Sequence, residues 1–223
     1  MAACGNDTTT TKETKKETKS AQTETKTADI EKESEPAAEE TNDSEQEADI
    51  DGLGHIKTLG VGYNDEAGLD GTKADAKPIE MGSMQLTING IAVVEVEPQE
   101  DVKVMFNNAD KVRAVVVDLI AENTAEEDIT FNPNQAILVT DTGEQVEAEM
   151  GMMGDAGGDF LGKVKKEGQS WWLLKNVDKD IKKITMIVSP PYTTADWSET
   201  AKEKRIEFEI LPWEEALKKD GKK

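Results

Sequence analysis

Large apolar side chains are almost missing from the N-terminal part of this chain. Between Gly5 and Ile50 only Ile30 and Ile50 qualify; Thr, Lys, Glu, Ser and Asn dominate, with a Thr/Lys/Glu-rich run from Thr8 to Thr27. Such a segment cannot bury enough surface to offset the entropy lost on ordering, so residues 1–50 are expected to be a disordered, charged tether. Lys/Glu spacing permits transient helical pairs, but the threonines lower helix propensity. Fully extended, residues 5–50 would reach about 160 Å, and as a flexible coil about 40 Å. Any core must come from the remainder, which suffices for one domain of roughly 130–170 residues.

The remainder is patterned for strands. Residues 51–78 are a Gly-rich lead-in, expected to be loosely attached, with at most one short strand around His55–Val61. Residues 79–212 then alternate or run apolar in short blocks. Met84–Ile88 alternates and Ile91–Val96 continues it, with Asn89-Gly90 as a turn or a bulge between them. Val112–Ile120 is nearly continuously apolar, broken by Arg113 and Asp118, which suits a central strand buried on both faces. Ile129–Phe131, Ala136–Thr140 and its hairpin partner Gln145–Met150 follow, then Gln169–Leu174, Lys182–Val188 and Lys204–Leu211. Residues 213–223 form a charged tail, helical at most briefly. Seven or eight strands with frequent turn signals and no long amphipathic helix predict an all-β fold, an antiparallel β-sandwich.

Composition excludes several function classes. The net charge of −21, from 26 basic and 47 acidic residues, disfavours nucleic acid and anionic lipid surfaces as partners and favours a basic one. One cysteine rules out an intrachain disulfide framework, and one histidine, His55, argues against a His-based metal site or a Ser-His-Asp triad. No G-x-S-x-G, S-x-x-K or phosphate-binding Gly loop occurs, so no enzyme and no cofactor is expected.

Two resemblances add to this reading. Ala2-Ala3-Cys4-Gly5 resembles the cleavage box of bacterial lipoproteins, in which the cysteine becomes the lipid-modified first mature residue. Met1 stands at the Leu position and no basic or apolar export segment precedes it, so the chain is expected to start inside the box, with Met1 as an added initiator. The alternative is a chance Ala-Ala-Cys near a cytosolic N-terminus. The lipoprotein reading implies lipidation at Cys4 and a module held at the extracellular face of a Gram-positive cell membrane, where more than one acyl chain is needed for stable anchoring. Farther along, Ile88-Asn89-Gly90, Val115–Asn123, Phe131-Asn132-Pro133, Val139–Gly143, Glu167–Trp171 and Val188-Ser189-Pro190 occur in an order similar to that of an immunoglobulin-like domain found in Gram-positive lipoproteins, which itself resembles a secreted mycobacterial immunoprotective antigen. That resemblance covers about residues 80–211 and implies an immunoglobulin-like β-sandwich in the envelope with a binding or assembly role. It brings no catalytic residues.

Candidate contact residues lie in two loops. Met150, Met152 and Met153 punctuate a Gly/Asp-rich segment running to Gly162, and Tyr192 and Trp197 lie on a polar excursion to Lys204. Trp171 and Trp172 must face opposite sides of their strand. One fills the core; the other, taken as Trp172, either forms a contact surface or is buried beneath the Gly151–Gly162 loop. Clustered thioethers at Met150, Met152 and Met153 suit Cu(I), and Asp65, Glu66, Asp70, Asp75, Asp155 and Asp159 could hold Ca²⁺ without matching a calcium-loop spacing. The bland readings are a flexible apolar loop and solvated acidic turns. The leading expectation is a non-catalytic module that binds an envelope protein or extracellular ligand, with metal handling as the alternative.

Overall fold

The alternating blocks become strands, every pairing among them antiparallel. The computed structural model describes residues 46–70 and 75–220; Cys4 and the expected tether up to residue 45 lie outside them. The strands are β1 (Glu47–Ile50), β2 (Gly54–Tyr63), β3 (Ile79–Met81), β4 (Met84–Pro98), β5 (Val112–Asn123), β6 (Ile129–Phe131), β7 (Ile137–Thr140), β8 (Gln145–Val146), β9 (Gly158–Phe160), β10 (Lys165–Leu174), β11 (Lys183–Val188), β12 (Tyr192–Thr193) and β13 (Lys204–Pro212). One helix, α1 (Trp213–Asp220), follows β13. No helix among the described residues is long and apolar enough to cross a membrane.

The all-β, antiparallel expectation holds, but the large sheet is continuous. Its order is β10-β5-β4-β2-β13-β11-β7-β8, with β1 and β3 added beside β2 and β4; β12-β6-β9 make a small second sheet. Within this single sheet two arms can be distinguished, β10-β5-β4 and β13-β11-β7-β8. They are joined by β2, which pairs with β4 through Gly54–Val61 and with β13 through Gly60–Tyr63. Residues 51–78 therefore supply a central strand rather than a loose lead-in. The strand Glu47–Ile50 likewise extends order into residues assigned to the tether, because it pairs in register with Gly54–Lys57.

The sheet curls into a half-barrel until its ends meet. Trp172 Nε1 on β10 donates to the Ala136 carbonyl just ahead of β7, at 2.8 Å, and the Glu149 amide just beyond β8 donates to the Trp171 carbonyl, also at 2.8 Å. Inside the curl, Ile91, Val115, Val117, Leu119, Trp172, Ile184, Met186, Ile206 and Phe208 form the main core, and the small sheet adds Ile129, Phe131 and Phe160. On β13, Ile206, Phe208 and Ile210 are buried while Arg205, Glu207 and Glu209 are exposed, as the alternation predicts.

The outer face of β4, β5 and β10 is covered as well. Val94, Val96, Val112, Ala114, Val116 and Trp171 pack under Phe106, which arrives on a 3₁₀ turn at Lys103–Phe106, and under Leu53 and Ile56 of the β1–β2 hairpin. The Phe106 ring meets Trp171 edge-on at 6.4 Å. This second small core explains why β5 reads apolar without alternation. It also corrects Trp172 as a contact residue: both tryptophans are buried, Trp172 completely. The Asn89-Gly90 signal proves to be a bulge inside one long strand, with the register shifting between Ile88 and Gly90.

Trp172 combines the largest fully buried side chain with a hydrogen bond across the seam. Trp172→Ala is expected to lower unfolding free energy by about 3–5 kcal/mol, measured by urea denaturation. Trp197→Ala, at an exposed position, is expected to stay within about 0.5 kcal/mol of the parent.

Candidate functional site

The small sheet gathers the two loops singled out in the sequence. β9 ends the Met/Gly-rich segment, β12 opens the Tyr192–Lys204 excursion, and both pair with β6 between them. Thr130 on β6 ties the two sides together: its hydroxyl donates to Asp159 at 2.7 Å and lies 3.1 Å from the Thr194 hydroxyl. Asn132 and Asn134 fasten the Met-loop side, accepting from the Gly158 amide at 3.0 Å and donating to the Gly154 carbonyl at 2.8 Å. Asn132, which lies in the Phe131-Asn132-Pro133 motif, thus has a structural role. Buried Asn123 has one too, donating to the carbonyls of Glu127 and Gly162 at 2.7 and 3.0 Å.

Trp197 stands at the tip of the excursion, 67% exposed, with φ +62°. A left-handed backbone is a rare and costly state for a bulky side chain. The turn that holds it is densely bonded. The Thr193 hydroxyl donates to Asp196, the Ser198 amide reaches Thr193 Oγ1 at 3.2 Å and Asp196 Oδ1 at 3.1 Å, and the Trp197 amide donates to the Thr193 carbonyl at 3.0 Å. The Thr193 hydroxyl, followed by Ser198, holds the Asp196 carboxyl below the usual aspartate range. Tyr192 is half-buried in β12. Sequence reasoning chose Trp197 for its residue type; the strain that fixes its presentation has no signal in the sequence.

The three methionines differ in their settings. Met150 is 83% exposed on a 3₁₀ turn, whereas Met152 packs against the outer core of Phe106 and Trp171. Met153 is half-buried at the end of that turn. Among the described residues, no group of three or more His, Cys, Asp or Glu side chains is placed to hold a metal ion. Glu66 instead reaches Lys204 at 3.3 Å.

Strands β1, β2, β4 and β5 carry an alternating charge ladder. Across β1, β2, β4 and β5 the register sets Glu47 against Lys57, Lys57 against Glu95, and Glu95 against Arg113; a second row sets Asp49 against His55 and His55 against Glu97. Lys111 closes the second row, 2.8 Å from Glu95 and 3.1 Å from Glu97, and these carboxylates hold its ammonium above the ordinary lysine range. His55 Nδ1 lies 2.9 Å from Asp49 and its Nε2 3.7 Å from Glu47. The Glu47 carboxyl is held low by its hydrogen bond from Lys57. His55 therefore sits on a strand between two carboxylates rather than in a Gly-rich loop.

Two recesses flank this ladder. A cleft of about 610 Å³ opens at the seam between the ends of the sheet, lined in part by Phe106, Lys111, Glu147, Glu149 and Val177. A smaller cavity of about 120 Å³ lies at Arg113, walled by Leu59, Val93, Ile181, Ile210 and Pro212, with Asp180 also lining it. Arg113 is buried; its only sequence signal was a charge interrupting an apolar run.

At the far end of β2, the Tyr63 hydroxyl is buried without a hydrogen-bond partner among the described residues. Lys219 of α1 places its ammonium 3.8 Å from the centre of the Tyr63 ring. Burial, with Asp220 and Asp70 nearby, pushes the Tyr63 phenol up to about 12.

No family model matches the chain, and no curated protein matches it. Among solved structures, it is similar to a functionally unknown protein from Listeria monocytogenes EGD-e, with a TM-score of 0.46 and 11% identity over 71% of this chain and 86% of that one. It is also similar to the yjhA protein from Bacillus subtilis, with a TM-score of 0.40 and 15% identity over 58% of this chain and 94% of that one. A third, a "putative lipoprotein (ycdA)" from Bacillus subtilis subsp. subtilis str. 168, has a TM-score of 0.40 and 12% identity over 65% of this chain and 42% of that one.

Tyr63 makes a signed pH prediction. Its folded-state pKa of about 12 lies above the value of about 10 in an unfolded chain. The unfolded state therefore releases this proton first, and the associated stability, complete below pH about 10, is lost as pH rises toward 12. The difference in unfolding free energy between the parent and Tyr63→Phe should change by about 1–3 kcal/mol over that window, in favour of the variant. At neutral pH, Tyr63→Phe should be more stable by about 1 kcal/mol, since it removes a buried hydroxyl without a partner.

Proposed function

We propose that this chain is a non-catalytic, lipid-anchored envelope module whose small sheet presents Trp197 to a basic surface on another envelope protein. The observation that carries the reading is the strained, multiply bonded turn around an exposed tryptophan. Backbone strain in a side chain left in solvent brings nothing to the isolated fold, whereas a pre-set aromatic anchor lowers the ordering cost of association. Asp196 and Glu199 flank Trp197 in sequence and the whole chain is strongly acidic, which favours a Lys- or Arg-bearing partner able to lie over the indole face. Met150, exposed on the loop that leads to the opposite edge of the small sheet, adds apolar contact area. The address rests on the lipoprotein-like Ala2-Ala3-Cys4-Gly5 and on the ordered motifs that resemble the immunoglobulin-like domain of Gram-positive lipoproteins.

The test has two parts. In a Gram-positive host fed labelled fatty acid, the protein expressed from its gene's natural start should take up label and sediment with membranes, and Cys4→Ser should do neither; an unlabelled, soluble parent would overturn the address. On intact cells, a photo-crosslinking residue at position 197 should give a discrete protein adduct that is competed by excess parent protein but not by Trp197→Ala. The same residue at exposed Val177 should not give that adduct. Identical adducts from both positions, or none, would overturn the assignment of Trp197.

A further inference from the structure

We infer that the cavity at Arg113 is a binding site for a small aliphatic monocarboxylate, held by the Arg113 guanidinium. Only two of the chain's basic residues are arginines, Arg113 and Arg205, and their settings differ sharply. Arg205 is exposed on β13 and pairs with Glu203 at 2.9 Å. Arg113 is only 9% exposed, on the face of β5 that it shares with core residues Val115 and Val117. Its guanidinium is a buried charge, and such a charge is costly unless compensated.

The protein compensates it incompletely. Nη1 donates to the Lys179 carbonyl at 2.9 Å, while Nε is buried with no partner among the described residues. The carboxylate directly across the ladder, Glu95, is the expected partner by register, but it is engaged by Lys111 at 2.8 Å. Arg113 thus lines the cavity with a charge that makes no ion pair among the described residues, although its Nε is itself sealed from solvent.

The walls define the class of that ligand. The recess of about 120 Å³ is about four water volumes at ~30 Å³ each, the size of a short-chain acid. Leu59, Val93, Ile181, Ile210 and Pro212 offer an aliphatic body its contacts and offer no further donors to an oxyanion. The Asp180 carboxylate opposes any anion that enters, a dianion more strongly than a monocarboxylate. A planar monocarboxylate matches the guanidinium fork. The carboxylate can belong to a free acid or to the terminus of a peptide ending in a small apolar residue.

The experiment uses the full ¹⁵N-labelled chain and reads the two arginine Nε–Hε signals, Arg205 serving as the internal control. The Arg113 signal is assigned by its loss in Arg113→Gln. A ligand this small saturates in the millimolar range, so sodium isobutyrate is titrated to about 100 mM, against inorganic phosphate and chloride at matched ionic strength. The expected result is a saturable shift at Arg113 with isobutyrate, none at Arg205, and only a shallow linear drift with phosphate or chloride. A short peptide ending in valine, compared with its C-terminal amide, separates the two sources. Tighter saturation by the free-acid peptide than by isobutyrate assigns a chain terminus, and the reverse assigns a free acid. No saturation by either carboxylate, or equal responses to phosphate and isobutyrate, would overturn the inference. The assignment is cross-checked with Arg205→Lys, which removes the other signal from an exposed position, so it does not depend on Arg113→Gln remaining folded.

Discussion

Everything in this fold hangs on β2 pairing along both of its edges. Without that strand the molecule would be two arms, each with a raw edge; with it, hydrogen bonding runs unbroken from β10 to β8. The geometry demands an unusual strand. A bulge between Thr58 and Gly60 turns it from one arm to the other. At Gly60 and Gly62 a β-carbon would collide with Ile210 and Ile91 of the core. The glycines let two arms close over a single apolar interior, and closure brings Trp172 to the Ala136 carbonyl.

That same device hid the strand from sequence reading. The glycines that let β2 fit broke every period-two pattern, so the segment read as a lead-in. The strands with conventional packing were legible: β13 from Ile206, Phe208 and Ile210, and β5 from a run that needed apolar cover on both sides. The adjacency of Trp171 and Trp172 correctly placed them on opposite faces, but nothing local shows that Phe106 arrives to roof the outer one. β9 and β12 span only three and two residues, too short to carry a period, and their association with β6 depends on contacts such as Thr130 to Asp159.

The candidate sites divide along similar lines. Residue type alone marked Trp197 and Met150 as apolar surface on polar loops, and both are exposed. The same rule failed at Trp172, where burial is decided by distant segments. Arg113 shows the converse: a charge within an apolar run reads as an interruption, and although the register sets Glu95 opposite it, Lys111 takes that carboxylate. Local chemistry identifies candidates; pairing between strands decides which of them keep unused binding capacity.

The position of β1 has a mechanical consequence. It is a four-residue edge strand, joined to β2 by a short turn and fastened on its exposed side by Glu47 with Lys57 and Asp49 with His55. A force transmitted through the residues before Glu47 meets this hairpin first and can peel it from Glu47 toward the turn, one pairing at a time. The main core, enclosed by β2 and the strands beyond it, is not loaded until that strand is spent. The ladder would then serve as a yielding link, lengthening the connection under tension while the module beyond it keeps its shape.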